Sequence, residues 1–166
     1  MVTIVDGHNL IPKIRGLSLS QLDDESRLIE ILQNYSRLRR KKVEIFFDRA
    51  AVGRAGSYMA GTIRVTHVSE KTTADEEIIQ RIRNAGKRAS ELLVISSDHH
   101  IQTQARNLGA KVLSSDQFVL ELYAALNDSG SSVPDAKNER SLTAEEIQEW
   151  ITLFSSKPPK KYSDKD

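Results

Sequence analysis

Short runs of apolar, largely β-branched residues alternate along the chain with longer stretches whose apolar residues recur at helical spacing. The short runs predict strands over residues 2–5, 43–47, 63–68, 92–96 and 111–113. The helical spacing predicts helices over about residues 20–41, 74–88, 100–108 and 116–126. An order in which strands alternate with helices is typical of an α/β fold with a parallel sheet.

Two parts of the chain depart from this alternation. Residues 49–61 contain three glycines and little periodicity, which predicts a loop. After the first domain, residues 1–126, the polar composition with Gly130 and Pro134 predicts a linker over 127–141. A short C-terminal helix over 142–155 is predicted from its Thr143 cap and the apolar face around Trp150, followed by a disordered tail over 156–166.

Composition narrows the class of protein. A chain of 166 residues with 39% hydrophobic content suits one globular domain with a short appendage. The formal net charge of +1 does not indicate nucleic-acid binding, so any such argument must come from how the charges are distributed. The lack of cysteine excludes disulfides, thiolate zinc sites and cysteine nucleophiles. We expect a cytoplasmic protein, because no stretch approaches about 18 apolar residues and no signal-peptide pattern opens the chain.

Four aspartates stand where a predicted strand ends or a helix begins. Asp6, Asp48 and Asp98 follow three of the strands, and Asp75 lies in the first turn of a helix. Because the carboxyl ends of parallel strands meet at one edge of a sheet, these acids could converge in a single crevice. Converging carboxylates repel one another, and Mg²⁺ or Mn²⁺ would relieve that repulsion. Acid-held divalent ions of this kind are used to cut phosphodiester bonds.

Each aspartate also has a simpler explanation. Asp6 and Asp48 suit turns, Asp98 suits a helix N-cap, and Asp75 would favour the helix dipole by about 0.3–1 kcal/mol. A shared site is favoured because all four acids fall at one predicted edge, while no strand start carries an equivalent acid. From the residues alone, a shared metal site and a set of turn and cap aspartates both stay open. Capping explains Asp116, which is kept outside the site.

Several polar residues flank the same predicted edge. Asn9 lies three residues after Asp6, near enough to hydrogen-bond a metal-bound water or a phosphate oxygen. His8, His99 and His100 lack the spacing of zinc ligands, so we expect them to face solvent or substrate, with His99 as a substrate contact.

Four motifs together give the chain a family resemblance. IVDGHNLI, VEIFFD, TTADEEIIQRI and LLVISSDHHIQ occur in the order found in the NYN branch of the PIN-like nucleases, and residues 1–126 most closely resemble its YacP-like members. The resemblance implies a Rossmann-like three-layer α/β sandwich with a mostly parallel central sheet. It further implies Mg²⁺- or Mn²⁺-dependent internal cleavage of RNA, in mRNA decay associated with ribosomes.

The resemblance also implies roles for individual residues. Asp6, Asp75 and Asp98 would be the metal-binding acids, Asp48 a further carboxylate of the same cluster, and Asn9 the polar residue that fixes substrate or a metal-bound water. Roles for His99 and His100 stay open. The C-terminal Trp150 helix lies outside the part that resembles the family.

An acidic pocket would repel RNA unless cations line its approaches. The candidates for this substrate contact are Arg49, Arg54, Arg64 and Lys71. The basic run 37–42 is explained equally well as the cationic end of a helix. Tyr58 could stack on a base, but an aromatic content of 5% does not indicate an extended stacking platform, and Tyr35 fits the core stripe of its helix.

Two other interpretations compete with a nuclease. The first is a catalytically silent module of the same fold that binds RNA or a ribosomal surface. The second is a phosphatase or receiver-like phospho-acceptor, which also places aspartates at strand ends but whose DxDx[TV] motif this chain lacks. Dependence of activity on a divalent metal separates the nuclease from the binding module.

Overall fold

A computed structural model describes residues 1–17, 23–50 and 53–128. Their strands are β1 Val2–Asp6, β2 Lys42–Phe47, β3 Gly56–Ala60, β4 Ile63–His67, β5 Leu92–Ile95 and β6 Lys111–Leu113. Their α-helices are α1 Gly7–Leu10, α2 Asp24–Arg39, α3 Ala74–Ala85, α4 His99–Asn107 and α5 Ser115–Asp128. The predicted C-terminal helix, the tail and nearly all of the predicted linker lie outside the described residues.

The strands of the described residues form one six-stranded sheet in the order β3-β4-β2-β1-β5-β6. All neighbours are parallel except the β3–β4 pair, which is antiparallel. Leu28, Leu32 and Phe118 of α2 and α5 pack on one face of the sheet, and Ile78 and Ile101 of α3 and α4 pack on the other. The predicted three-layer α/β sandwich with a mostly parallel sheet is therefore confirmed.

Successive residues of a strand point to opposite faces of the sheet. In β2, Phe46 belongs to the core under α3 and α4, whereas Phe47 belongs to the core under α2 and α5. The same alternation places Asp6 on the face of Ile4, beneath α3 and α4. Tyr35 is fully buried in α2, as its position in the helical stripe predicted.

The prediction of a loop over 49–61 is wrong for Gly56–Ala60, which form the edge strand β3. This strand shows no hydrophobic alternation because four of its five residues are exposed. The predicted helix over 74–88 ends at Ala85 and continues as a 3-10 helix, Gly86–Glu91. A second 3-10 helix, Ile11–Lys13, follows α1, and α5 continues to Asp128, two residues into the predicted linker.

The connection after β1 leads to one side of the sheet, and the connection after β5 leads to the other side. The chain runs from β1 outward to β2 and β4, and then returns to β5 on the other side of β1. In open α/β sheets, ligands bind beyond the carboxyl ends of the strands at such a switch point. No helix in the described ranges is long and apolar enough to cross a membrane.

Candidate functional site

Asp6 ends β1 at this switch point and is only 6% exposed. Its pKa is raised to about 7, chiefly by burial and then by the negative charge of Asp75, with a smaller contribution from Asp48. The backbone N–H of Asn9 and the nearby ring of His8 act in the opposite direction. Burial and the neighbouring acids both disfavour the ionised form of this carboxyl, and a bound cation would favour it.

Asp48 and Asp75 are brought together by the start of α3. Asp48 directly follows β2, and its Oδ1 accepts a hydrogen bond from the backbone N–H of Ala74, the first residue of α3. Asp75 is the next residue of that helix, and its pKa is raised by partial burial and then by the charges of Asp98 and Asp48. Asp75 therefore lies within electrostatic range of acids from β2 and from the end of β5.

Asp98 is the N-cap of α4. Its Oδ1 accepts hydrogen bonds from the backbone N–H groups of His100 (2.8 Å) and Ile101 (3.2 Å). Its own N–H donates to Oγ of Ser96 at 3.1 Å, which fixes the turn after β5. Capping was the simpler explanation for this residue, and it is confirmed; the charge of Asp98 also acts on Asp75. Within the described part of the chain, its second oxygen makes no hydrogen bond and can face a ligand.

Asn9 connects three segments of the same edge. Its Oδ1 accepts from the backbone N–H of Ser97 at 2.8 Å and from Oγ of Ser115 at 2.6 Å. Ser97 Oγ in turn accepts from the backbone N–H of Ser115 at 3.1 Å. The side-chain oxygen of Asn9 is thus used to join α1 to the end of β5 and the start of α5, which leaves its amide group for the predicted contact with substrate or a metal-bound water.

We refer to Asp6, Asp48, Asp75 and Asp98 as the acidic cluster. Carboxylate oxygens are the donors that Mg²⁺ and Mn²⁺ prefer. The pKa values of Asp6 and Asp75 are raised first by burial and then by the charges of neighbouring acids, and a bound cation would oppose both effects. Among the described residues, no three His, Asp or Glu side chains are arranged to hold one metal ion by themselves. Mg²⁺ usually keeps several water ligands and binds through one or two carboxylates, so it does not require a complete set of protein ligands.

Most of the predicted substrate contacts lie at this edge. Arg49 follows β2, Arg54 precedes β3, Lys71 precedes α3 and His99 begins α4, and all four are exposed. Arg64 does not lie there. Arg64 is the second residue of β4 and lies opposite Glu44 of β2 in the strand register. It lines a groove of about 550 Å³ at the opposite edge of the sheet. Its position near the amino end of a parallel strand removes it from the acidic cluster.

Four rings form a row on the α2 side of the sheet, and we call it the aromatic row. His8 lies 5.4 Å from Phe47, Phe47 lies 5.4 Å from His67, and His67 lies 5.9 Å from Tyr58, measured between ring centroids. The last two pairs are nearly parallel, with interplanar angles of 21° and 13°. The row runs from the edge strand β3 across β4 and β2 to α1.

Glu25, in the first turn of α2, holds both histidines of the aromatic row. Its Oε1 is 2.8 Å from Nε2 of His8, and its Oε2 is 3.9 Å from Nδ1 of His67. The hydrogen bond raises the pKa of His8 and lowers that of Glu25, against the opposing effect of burial on each. No pattern in the sequence indicates this arrangement, because Glu25 has the pattern of a helix-surface residue and Phe47 that of a strand core until the register is known.

Comparison with known proteins identifies relatives of this fold. A family model described as the YacP-like NYN domain matches residues 3–153, well beyond residue 126. The crystal structure of Rae1 (YacP) from Bacillus subtilis is 20% identical, with a TM-score of 0.67 over 94% of this chain and 89% of that chain. A mutant of Rae1 (YacP) from Bacillus subtilis is 22% identical, with a TM-score of 0.65 over 90% and 91%. No curated protein matches the chain.

Proposed function

Because the chain belongs to the YacP-like NYN domain family, we propose that it is an endoribonuclease that uses Mg²⁺ or Mn²⁺ to cleave RNA internally. One observation carries the proposal: acids from four separate segments of the chain meet at the carboxyl edge of the sheet. Their mutual repulsion is unfavourable without a metal. A bound divalent cation offsets it and can then attract a phosphate.

In this proposal Asp6, Asp75 and Asp98 hold the metal, and Asp48 contributes a further carboxylate. A bound Mg²⁺ or Mn²⁺ lowers the pKa of a coordinated water and neutralises charge on the scissile phosphate. The partly buried setting of the acids limits competition from bulk water, which strengthens every electrostatic interaction within the site. Asn9 keeps the turn after β5 in place and so positions Asp98.

Two helices support binding of the phosphate backbone. α3 and α4 both begin at the acidic cluster, so their positive dipole ends face the region where a phosphate would lie. Arg49, Arg54 and Lys71 would contact phosphates on either side of the cleavage point, and His99 would approach from the start of α4. These cations offset the repulsion between RNA and the acids.

The deciding experiment uses a circular single-stranded RNA, which only an endonuclease can open. The full-length protein is incubated with it in Mg²⁺, Mn²⁺ or EDTA, and the new ends are examined for a 5′-phosphate and a 3′-hydroxyl. We expect metal-dependent opening that falls at least about 100-fold in Asp75→Asn. Glu76→Gln is the matched control, since Glu76 is the neighbouring acid, is exposed and bonds Thr72 instead. Equal cutting by Asp75→Asn would contradict the proposal.

A catalytically silent RNA-binding module is the second candidate. It is favoured by the fact that no three acids or histidines of the described residues are grouped to hold a metal ion. Metal-independent RNA binding without opening of the circle in any metal would establish this alternative.

We further propose that the RNA is mRNA and that translating ribosomes present it to the enzyme. The assay repeated with free mRNA and with the same mRNA on ribosomes tests this step. Faster cleavage of the ribosome-bound mRNA is expected, and equal rates would contradict it.

A further inference from the structure

We propose that the ring of Tyr58 is a stacking platform for one base of single-stranded RNA beside the acidic cluster. This inference rests on the proposed function, since it concerns how the same edge of the sheet would hold its substrate. It assigns a binding role to a residue of the edge strand β3 and to the aromatic row behind it.

The aromatic row gives Tyr58 a fixed orientation. Its ring lies almost parallel to that of His67, which lies almost parallel to that of the fully buried Phe47. Oε2 of Glu25 lies 3.9 Å from Nδ1 of His67, within ion-pair distance. A ring that is already oriented loses little conformational freedom when it binds, so stacking on it is favoured.

Tyr58 is also accessible. It is 48% exposed although it belongs to a paired strand, and in the described residues its hydroxyl makes no hydrogen bond. The ring of His67 stacks on one face of the Tyr58 ring, so the opposite face is the one that a base would use. A flat aromatic surface of this kind accepts the face of any nucleobase, because every base has a π-face.

The aromatic row leads to the acids. Phe47 directly precedes Asp48, and the charges of Asp6 and Asp48 both act on His8 at the far end of the row. Tyr58 lies at the other end of the row, so an RNA strand of several nucleotides that crosses the carboxyl edge of the sheet can stack a base on Tyr58 and place a phosphate at the acidic cluster.

The charges around the aromatic row favour RNA as its ligand. Arg54, which is exposed, lies just before β3, and Arg49 follows Asp48 at the same edge. Aromatic rings flanked by cations are the usual surface for single-stranded nucleic acid, where rings take the bases and cations the phosphates. The sequence did not indicate such a platform because two of its four rings are histidines, which aromatic content does not count.

The test measures binding separately from cleavage. A single-stranded oligoribonucleotide of about 12 nucleotides is titrated in EDTA onto the full-length protein carrying Asp75→Asn. Tyr58→Ala is expected to weaken binding about 5- to 100-fold, and Tyr58→Phe to stay within about twofold. Met59→Ala is the matched control, because Met59 is the next residue of the same strand, is 59% exposed and points to the other face.

A set of oligonucleotides, each with one abasic position, then locates the base. One position should weaken binding to Asp75→Asn about as much as Tyr58→Ala does, and should have no further effect when combined with Tyr58→Ala. Equal loss in Tyr58→Ala and Met59→Ala, no abasic position coupled to Tyr58, or no saturable binding would each overturn the inference. If the coupling is found but circular RNA stays closed, the nuclease proposal fails while the stacking site stands.

Discussion

Asp48 at the end of β2 accepts a hydrogen bond from the backbone N–H of Ala74 at the start of α3. The bond joins two segments that are 26 residues apart and brings the carboxylate next to Asp75. Asp48 therefore contributes to the fold and to the acidic cluster with the same side chain, and two substitutions separate these contributions.

Asp48→Ala removes the acceptor for the Ala74 N–H, whereas Asp48→Asn keeps an acceptor and removes only the charge. We expect the alanine variant to lower the free energy of unfolding by about 1–2 kcal/mol and the asparagine variant to change it little. Both should cleave RNA at least about tenfold more slowly, because the carboxylate is lost in each. Urea denaturation and the circular-RNA assay measure the two effects, and equal stability of the two variants would argue against the capping role.

Asp6 predicts an unusual dependence of stability on pH. Its pKa is about 7 in the folded protein against 3.8 for the ordinary carboxyl, so the folded state binds the proton more tightly. That contribution is complete below about pH 4 and is lost as the pH rises to about 7, at a cost of up to about 4 kcal/mol. Asp6→Asn should remove this part of the pH dependence and be more stable than the wild type at pH 8, as thermal unfolding across pH would show.

Mg²⁺ or Mn²⁺ should offset the same penalty. A cation that binds the ionised acids stabilises the folded state by mass action, so the midpoint of unfolding at pH 8 should rise with metal concentration in the wild type. Asp6→Asn should respond much less. An equal rise in both proteins would indicate that the metal acts elsewhere.

Substitution of Asn9 tests whether its hydrogen bonds to Ser97 and Ser115 hold the acidic cluster in place. Asn9→Ala leaves the N–H of Ser97 and the hydroxyl of Ser115 without their acceptor. We expect a loss of about 1–3 kcal/mol in the free energy of unfolding and a lower cleavage rate, since the turn that carries Asp98 loosens. Ser115→Ala removes only one of the two bonds and should cost less. A larger cost for Ser115→Ala would contradict the central position of Asn9.

Much of this architecture follows from the sequence. Each parallel strand is a short apolar run that ends at an acid or a turn, so β1, β2 and β5 and the edge on which Asp6, Asp48 and Asp98 lie could be predicted. Thr73, the residue before α3, caps that helix through its side chain, which accepts from the N–H of Glu76 at 3.2 Å. Local chemistry sets these features, and local chemistry can be read along the chain.

The remaining features depend on contacts between distant residues. Strand β3 has no alternation because it lies exposed at the sheet edge, so its glycines suggested a loop. Arg64 was grouped with the substrate contacts because of its charge, although the predicted strand over 63–68 places it near the amino end, away from the edge where the acids lie. The contacts of Glu25 with His8 and His67 span 17 and 42 residues, and only the register of β2 and β4 brings them together.

The Glu25–His8 pair predicts a second pH effect. The raised pKa of His8 contributes stability that is present below about pH 6.5 and lost as the pH rises through its folded value. The lowered pKa of Glu25 contributes stability that is present above about pH 4.5 and lost as the pH falls. In Glu25→Gln we expect the pKa of His8, followed by NMR, to fall, because its largest cause is removed. An unchanged His8 titration would contradict the pairing.

Gly7 lies against the ring of Phe47, which leaves no room for a side chain at position 7. A Cβ atom at position 7 would overlap Cδ1 and Cε1 of Phe47 and come within 3.1 Å of the carbonyl oxygen of Phe46. Gly7 begins α1 with ordinary helical geometry, so lack of space is what excludes a side chain here. Gly7→Ala should lower the free energy of unfolding by about 1–3 kcal/mol. It should also reduce RNA cleavage, because a displacement of Phe47 would displace the adjacent Asp48. Phe47→Leu makes room, so Gly7→Ala should cost clearly less in that background, as urea denaturation of the four proteins of a double-mutant cycle would measure. The same cost in both backgrounds would mean that the backbone at position 7, and not the ring of Phe47, sets the requirement for glycine.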